Sequence, residues 1–299
     1  KKKYKSYKKN IYLLLNNEII YASDNLGFIY AIDINKEKII WAKNYGIPFR
    51  SNIKIFNNEL ILANQDNTIF SINIINGNKT WSLLTEATLL KSEFINNFAI
   101  TRKNNSLFFF NTSGALYSIN LINKSVNWIV NFNQFDPQKE TNIFYGLPLA
   151  ISENNIIVVG KKYVSNIDTI TGVIKWRVKL KVRAKPVVTK NNIFLTTEDN
   201  YAICMNIKNG QIVWSRDILS QVNSNKTKLS FYSNIDYNFI ANNKLILIHN
   251  TGRLTTINVD SGNVLFSKEL TSSKVIGGPV FANKNMYLLD RGLKLYKYK

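Results

Sequence analysis

Six times along the chain an Asp or Asn is followed, eight positions later, by an aromatic residue. The pairs are Asp33 and Trp41, Asn73 and Trp81, Asn120 and Trp128, Asp168 and Trp176, Asn206 and Trp214, and Asn258 and Phe266. Recurrence in one register over short intervals means that the chain is built from copies of one unit, which must stack on its neighbours to bury its faces. Four positions after the Asp or Asn comes glycine in four copies, Gly77, Gly172, Gly210 and Gly262, with Glu37 and Lys124 in the other two. The carboxylate or amide can accept a hydrogen bond from the backbone two residues on. Glycine supplies the positive φ needed to return into the next strand. Six positions before the Asp or Asn stands another turn former, Gly27, Asn67, Gly114, Asn200 or Gly252, with Lys162 departing. Two positions before it the residue is usually small: Ala31, Ser71, Ser118, Cys204, Thr256. Cys204, the single cysteine, therefore fills a small packing slot and is expected to be structural and unreactive.

The cleanest copy runs from Ala184 to Trp214. It reads as strands at Pro186 to Thr189, Ile193 to Thr197, Tyr201 to Asn206 and from Gln211 to Trp214, separated by short polar turns. Four antiparallel strands per unit and about 40 residues per unit describe a propeller blade. The intervals between aromatic anchors are 40, 47, 48, 38 and 52 residues, and the excess falls in three connections: Thr85 to Phe98, Asn133 to Tyr145 and Leu219 to Ile235. Loops are expected to project there. After Phe266 a seventh unit begins, with strands at Ile276 to Ala282, Met286 to Asp290 and Gly292 to Tyr298, and no fourth strand follows. An open sheet edge invites closure by a strand from elsewhere. Tyr4 to Lys8, just before the first strand of the first unit (Ile11 to Leu15), is a candidate to supply it, with a solvated basic tail as the alternative. The expected fold is all-β. Residues 10–299 form one closed β-propeller of four-stranded antiparallel blades, seven in number, with eight- and six-bladed rings as alternatives, and residues 1–9 form a basic N-terminal segment.

Apolar runs stay far below the roughly 20 residues a membrane helix needs, and no signal peptide stands at Lys1, so a leader in the precursor would lie upstream. Lys and Arg number 39 against 19 Asp and Glu, a net charge of +20; the six lysines in the first nine residues leave +14 when set aside. Such a surface attracts polyanions or an acidic partner, although richness in Lys, Asn and Ile also matches codon bias in an AT-rich genome. His249 is the only histidine, which removes histidine metal clusters and two-histidine relays, and it reads as a strand residue beside a turn. The acids are mostly turn residues, so no catalytic set is expected, and no nucleic-acid module is present.

Two stretches stand outside the repeat rules. In Lys175, Arg177, Lys179, Lys181, Arg183 and Lys185 a base recurs at every second position, alternating with apolar residues. If extended, this places six cations on one side. That is either a solvated outer strand with its connection, or a ridge for an acidic protein surface or anionic lipid headgroups. The second stretch is the Asn133 to Tyr145 connection, where Phe135, Asp136, Phe144 and Tyr145 are candidates for partner binding, since aromatic residues on long loops often anchor interfaces.

The unit resembles the PQQ-like propeller repeat, here as YAIDINKEKIIW, SINIINGNKTW, SINLINKSVNW, NIDTITGVIKW, CMNIKNGQIVW and TINVDSGNVLF. Size, layout and lack of catalytic groups are most similar to the BamB-type factors. That resemblance implies a lipid-anchored scaffold on the periplasmic face of the outer membrane, without cofactor, monomeric, that assists insertion of β-barrel proteins by binding a BamA-like assembly protein. Members of that family bind through connections carrying leucines and an arginine after one blade and two aspartates after the next. Here the corresponding stretches are Phe132 to Tyr145, without arginine, and Lys179 to Lys185, KLKVRAK, with bases in place of acids. The alternatives from other classes are a quinoprotein-like enzyme or ligand-binding propeller, and a basic propeller that binds polyanions.

Overall fold

The computed structural model describes residues 11–86, 97–101, 103–132, 146–224 and 234–298. In the first compact unit, Lys1–Pro148, three sheets follow one another. The first holds β1 (Ile11–Asn16), β2 (Ile19–Asp24), β3 (Phe28–Asp33) and β4 (Lys38–Asn44). The second holds β5 (Lys54–Phe56), β6 (Glu59–Ala63), β7 (Thr68–Asn73) and β8 (Lys79–Leu84), and the third β9 (Asn97–Thr101), β10 (Ser106–Phe110), β11 (Ala115–Asn120) and β12 (Val126–Asn131). The second unit, Leu149–Lys299, holds four more. β13 (Ala150–Ser152), β14 (Asn155–Val159), β15 (Tyr163–Asp168) and β16 (Ile174–Lys179) form one. β17 (Val187–Val188), β18 (Asn192–Thr196), β19 (Tyr201–Asn206) and β20 (Ile212–Asp217) form the next, and a short helix, α1 (Ile218–Ser224), follows it. β21 (Ile235–Ala241), β22 (Lys244–His249), β23 (Arg253–Asn258) and β24 (Val264–Glu269) form the sixth sheet; β25 (Val275–Ala282), β26 (Asn285–Asp290) and β27 (Leu295–Tyr298) form the last.

Every sheet is antiparallel with its strands in chain order. These seven blades are those of a β-propeller, all-β as the repeats predict. The seventh shows three strands among the described residues, and Tyr4 to Lys8 lies outside them. In the blade read most closely from sequence, β17 is only two residues long: Pro186 has no N–H to pair, and Thr189 already turns back, its N–H donating to the Asn192 carbonyl at 2.9 Å.

The core lies between neighbouring sheets. Middle strands such as β6 (ELILA) and β10 (SLFFF) are buried along nearly their whole length, whereas the outer strand β4 is exposed along most of its own. Tyr21 and Ile29 pack against Phe49, Leu60 and Ile72 of the next blade. Ile61 and Ile69 pack against Leu107, Phe109 and Ile119, and Phe194 and Trp214 against Leu245 and Ile257. Each fully buried aliphatic side chain contributes roughly 1.5–3 kcal/mol. Stacking of copies is therefore what makes each small sheet stable.

The repeat's signature residues hold the stack. In each of the six units the Asp or Asn side chain accepts a backbone N–H two residues on, for example Ile75 N to Asn73 Oδ1 at 2.8 Å and Lys208 N to Asn206 Oδ1 at 2.9 Å. The residue four positions on lies in the left-handed region in all six, Glu37 (φ 52°) and Lys124 (φ 61°) included. The small residue pairs across the strands with the aromatic, as Ala31 with Trp41 and Cys204 with Trp214, and a bulge follows directly. The indole then crosses to the next blade. Nε1 of Trp41, Trp176 and Trp214 donates to the carbonyls of Ile74, Ile207 and Val259, at 3.0, 2.8 and 2.8 Å, each carbonyl one residue past that blade's own Asp or Asn. The rings lie on Gly77, Gly210 and Gly262. Where Lys124 replaces glycine, its ammonium stands 5.6 Å from the Trp81 ring centre and pairs with Glu59 at 2.6 Å. That pairing offsets the strain of a left-handed lysine.

Candidate functional site

Each of the six four-stranded blades has one end at which the turn between its second and third strands meets the connection leaving its fourth. The junction is made by one hydrogen bond in six blades. The N–H of Tyr45, Thr85, Phe132, Leu180, Ile218 and Leu270 donates to the carbonyl of Gly27, Asn67, Gly114, Lys162, Asn200 and Gly252, respectively. The three long connections and the basic row all leave from this end of their own blades. The turns themselves are braced by side-chain acceptors: Asp24, Asn64 and Asn111 each take two backbone N–H groups through Oδ1.

The stem of the Thr85 connection is fixed by side chains. Thr85 Oγ1 donates to the Asn67 carbonyl at 2.8 Å, and Asn67 Nδ2 donates to the Glu86 carbonyl at 3.2 Å. The Glu86 N–H reaches the Tyr117 hydroxyl at 3.2 Å. The connection after β20, expected as a projecting loop, opens with α1. Its Ile218 and Val222 are fully buried, and Gln221 Oε1 accepts the Val264 N–H at 2.9 Å, covering an edge group of β24. Phe135, Asp136, Phe144 and Tyr145 lie outside the described residues.

The basic row keeps its alternation. Lys175, Lys179, Lys181 and Lys185 are exposed and Arg177 and Arg183 half-buried, while Val182 and Ala184 are buried. The connection stays extended as far as Arg183, because Val182 pairs with Thr197 and the Arg183 N–H donates to the Thr196 carbonyl at 2.9 Å, and it bends at Ala184. The six cations do not form one uniform face, however. Lys175 pairs with Asp168 at 2.9 Å and donates to the Asn154 carbonyl and Asn155 Oδ1. Arg177 lies 4.0 Å over the Tyr163 ring, and Arg183 donates through Nε and Nη2 to Asp236 Oδ1, both at 3.2 Å. Asp168 is desolvated by burial, which raises its pKa, but the Lys175 ammonium and the turn N–H groups of Thr171 and Ile170 outweigh this and hold it at about 2. Asp168 was legible as a turn residue, but nothing in the sequence signals that Asp236, 53 positions from Arg183, would be its partner.

The remaining reactive groups are structural in their surroundings. Burial, helped by Asp260, pushes the Cys204 thiol up to about 11, far from a nucleophilic thiolate at neutral pH. His249 occupies the turn position held elsewhere by Asp24, Asn64 and Asn111. Its Nε2 lies 3.1 Å from Thr255 Oγ1, and burial with nearby Arg253 brings its pKa down to about 4. Among the described residues no three His, Cys, Asp or Glu side chains gather into a set that could hold a metal. No helix among them is long and apolar enough to cross a membrane.

Comparison with known proteins agrees with this geometry. No curated protein matches in sequence. Among solved structures, BamB from Moraxella catarrhalis is similar over 97% of this chain and 84% of its own, with a TM-score of 0.76 at 11% identity. The computationally designed Ika8 protein (TM-score 0.60, 14% identity, 98% of this chain and 96% of that one) is similar in fold. So is the WD40 domain of Neurospora crassa Pan2 (TM-score 0.58, 13% identity, 96% and 87%). The family model described as outer membrane protein assembly factor BamB matches residues 12–143 and 134–293. With seven stacked blades and a family match running through both units, the chain belongs to the BamB family of outer membrane protein assembly factors.

Proposed function

We propose that the chain is a non-catalytic scaffold of the bacterial cell envelope that assists the assembly and insertion of β-barrel outer-membrane proteins. It acts at the periplasmic face of the outer membrane, held there by a lipid anchor on the mature protein, and docks a BamA-like assembly protein. The observation that carries this reading is the family match across residues 12–143 and 134–293. The geometry supports it. Cys204 and His249 are buried in packing roles, whereas the long connections leave their blades from one end, where each is tied to a turn by a backbone hydrogen bond. A rigid scaffold presenting variable loops is the usual design of a binding protein.

The docking elements are the Asn133 to Tyr145 connection, with Phe135, Asp136, Phe144 and Tyr145, and the connection after β16. Recovery of partners from a solubilised envelope extract tests the proposal. The intact protein is expected to retain barrel assembly components, and the Phe135→Ala, Phe144→Ala, Tyr145→Ala triple variant to retain far less. Failure of the intact protein to recover any such component would count against it.

A further inference from the structure

The basic row sorts its own cations into two groups. Lys175, Arg177 and Arg183 are turned to Asp168, the Tyr163 ring and Asp236 within the fold. Lys179, Lys181 and Lys185 are exposed and make no ion pair with any described residue. The backbone carrying these three is pinned on both sides. The Leu180 N–H donates to the Lys162 carbonyl at 2.9 Å, Val182 pairs with Thr197, and Val182, Ala184 and Pro186 are buried beneath. At about 3.3 Å per residue, Lys179 and Lys181 stand about 6.6 Å apart, and Lys185 lies just past a bend at Ala184. The first interval matches alternate side chains on one face of a second extended chain. The exposed Glu198 and Asp199 border the row at Lys181, where the Glu198 N–H meets the Lys181 carbonyl at 3.3 Å. They repel an acidic ligand from that flank and confine it to the lysines.

We infer that this row docks an extended acidic segment of a partner protein, with Asp or Glu at alternate positions opposite Lys179 and Lys181 and a further carboxylate at Lys185. The inference rests on the docking reading above and gives it a partner chemistry. Two features favour a polypeptide over a lipid surface. The guanidinium groups, whose forked geometry suits phosphate, are the ones engaged within the fold, leaving ammonium point charges outward. None of Trp176, Val178, Leu180 and Val182 is exposed, so no large apolar group stands among the lysines to enter a bilayer.

The test uses the full chain and a fluorescein-labelled peptide of alternating Glu and Thr, beside a peptide of the same composition with its glutamates in one block. The alternating peptide is expected to bind more tightly, and its affinity to fall about tenfold between ~0.05 M and ~0.3 M salt as screening lengths shorten. Lys179→Gln, Lys181→Gln and Lys185→Gln together are expected to weaken binding about fivefold or more, given modest contributions from each exposed pair. Lys38→Gln, Lys43→Gln and Lys208→Gln, which remove equal charge from other exposed lysines, are expected to change it less than about twofold. Equal losses in the two triple variants, no binding, or preference for the block peptide would overturn the inference. So would binding to phosphatidylglycerol vesicles that the first triple variant abolishes while peptide binding survives. If that variant still recovers barrel assembly components from envelope extract, the scaffold function stands and this inference alone fails.

Discussion

A side-chain oxygen and a left-handed residue shape the last turn of six blades, and at Gly77, Gly210 and Gly262 that turn receives the indole of the preceding blade; the consequences are sharpest at Gly210. A Cβ there would stand 2.8 Å from Trp176 Cδ2, on a backbone with φ of +71°. Gly210→Ala is therefore expected to lower stability by about 1–3 kcal/mol through strain and overpacking together, measured by urea unfolding. His249 offers a pH test. The folded chain holds its imidazole neutral down to about pH 4, whereas the unfolded chain takes up a proton near 6.5. More protons bound in the unfolded state means that the His249 contribution to stability falls as pH drops from about 6.5 and levels off below about 4. His249→Asn, which installs the residue found at Asn64 and Asn111, is expected to flatten that part of the urea midpoint against pH. An unchanged slope would show that other groups cause it.

At the scale of elements, the outer strand of one blade is where an inserted connection returns to the fold. Ile218 and Val222 of α1 are fully buried in the cluster that includes Trp214, Leu245 and Val259. Ile218→Ala is expected to cost about 2–4 kcal/mol, read from chemical denaturation. A cost near zero would mean that α1 is an ornament on the edge of β24. Strands, turns and anchors were legible in the sequence because each depends on local chemistry: an Asx acceptor, a left-handed residue, an aromatic eight positions on. Lys124, an exception to the glycine pattern in the sequence, takes the same left-handed conformation, and the Glu59 partner that supports it was hidden. Arg183 and Asp236 were equally hidden, since their contact joins residues 53 apart whose spacing follows no repeat. The helix escaped notice because Ile218, Leu219 and Val222 make only one helical turn of pattern, too little to distinguish from an apolar strand end.

For the whole molecule, each compact unit stacks its blades behind braced turns from which the long connections depart, and the family match is what supports the proposed role in outer-membrane protein assembly. Charge adds a feature of this chain's own: at +20, and with Lys179, Lys181 and Lys185 making no ion pair among the described residues, its surface favours the acidic partner inferred above. The central claim is that cells use this scaffold to fill their outer membrane with β-barrel proteins. Quantitative proteomics of outer membranes from a deletion strain tests it most directly. The account predicts lowered levels of several barrel proteins, restored by the intact chain but not by the Phe135→Ala, Phe144→Ala, Tyr145→Ala variant. Barrel levels that are unchanged by deletion would contradict it.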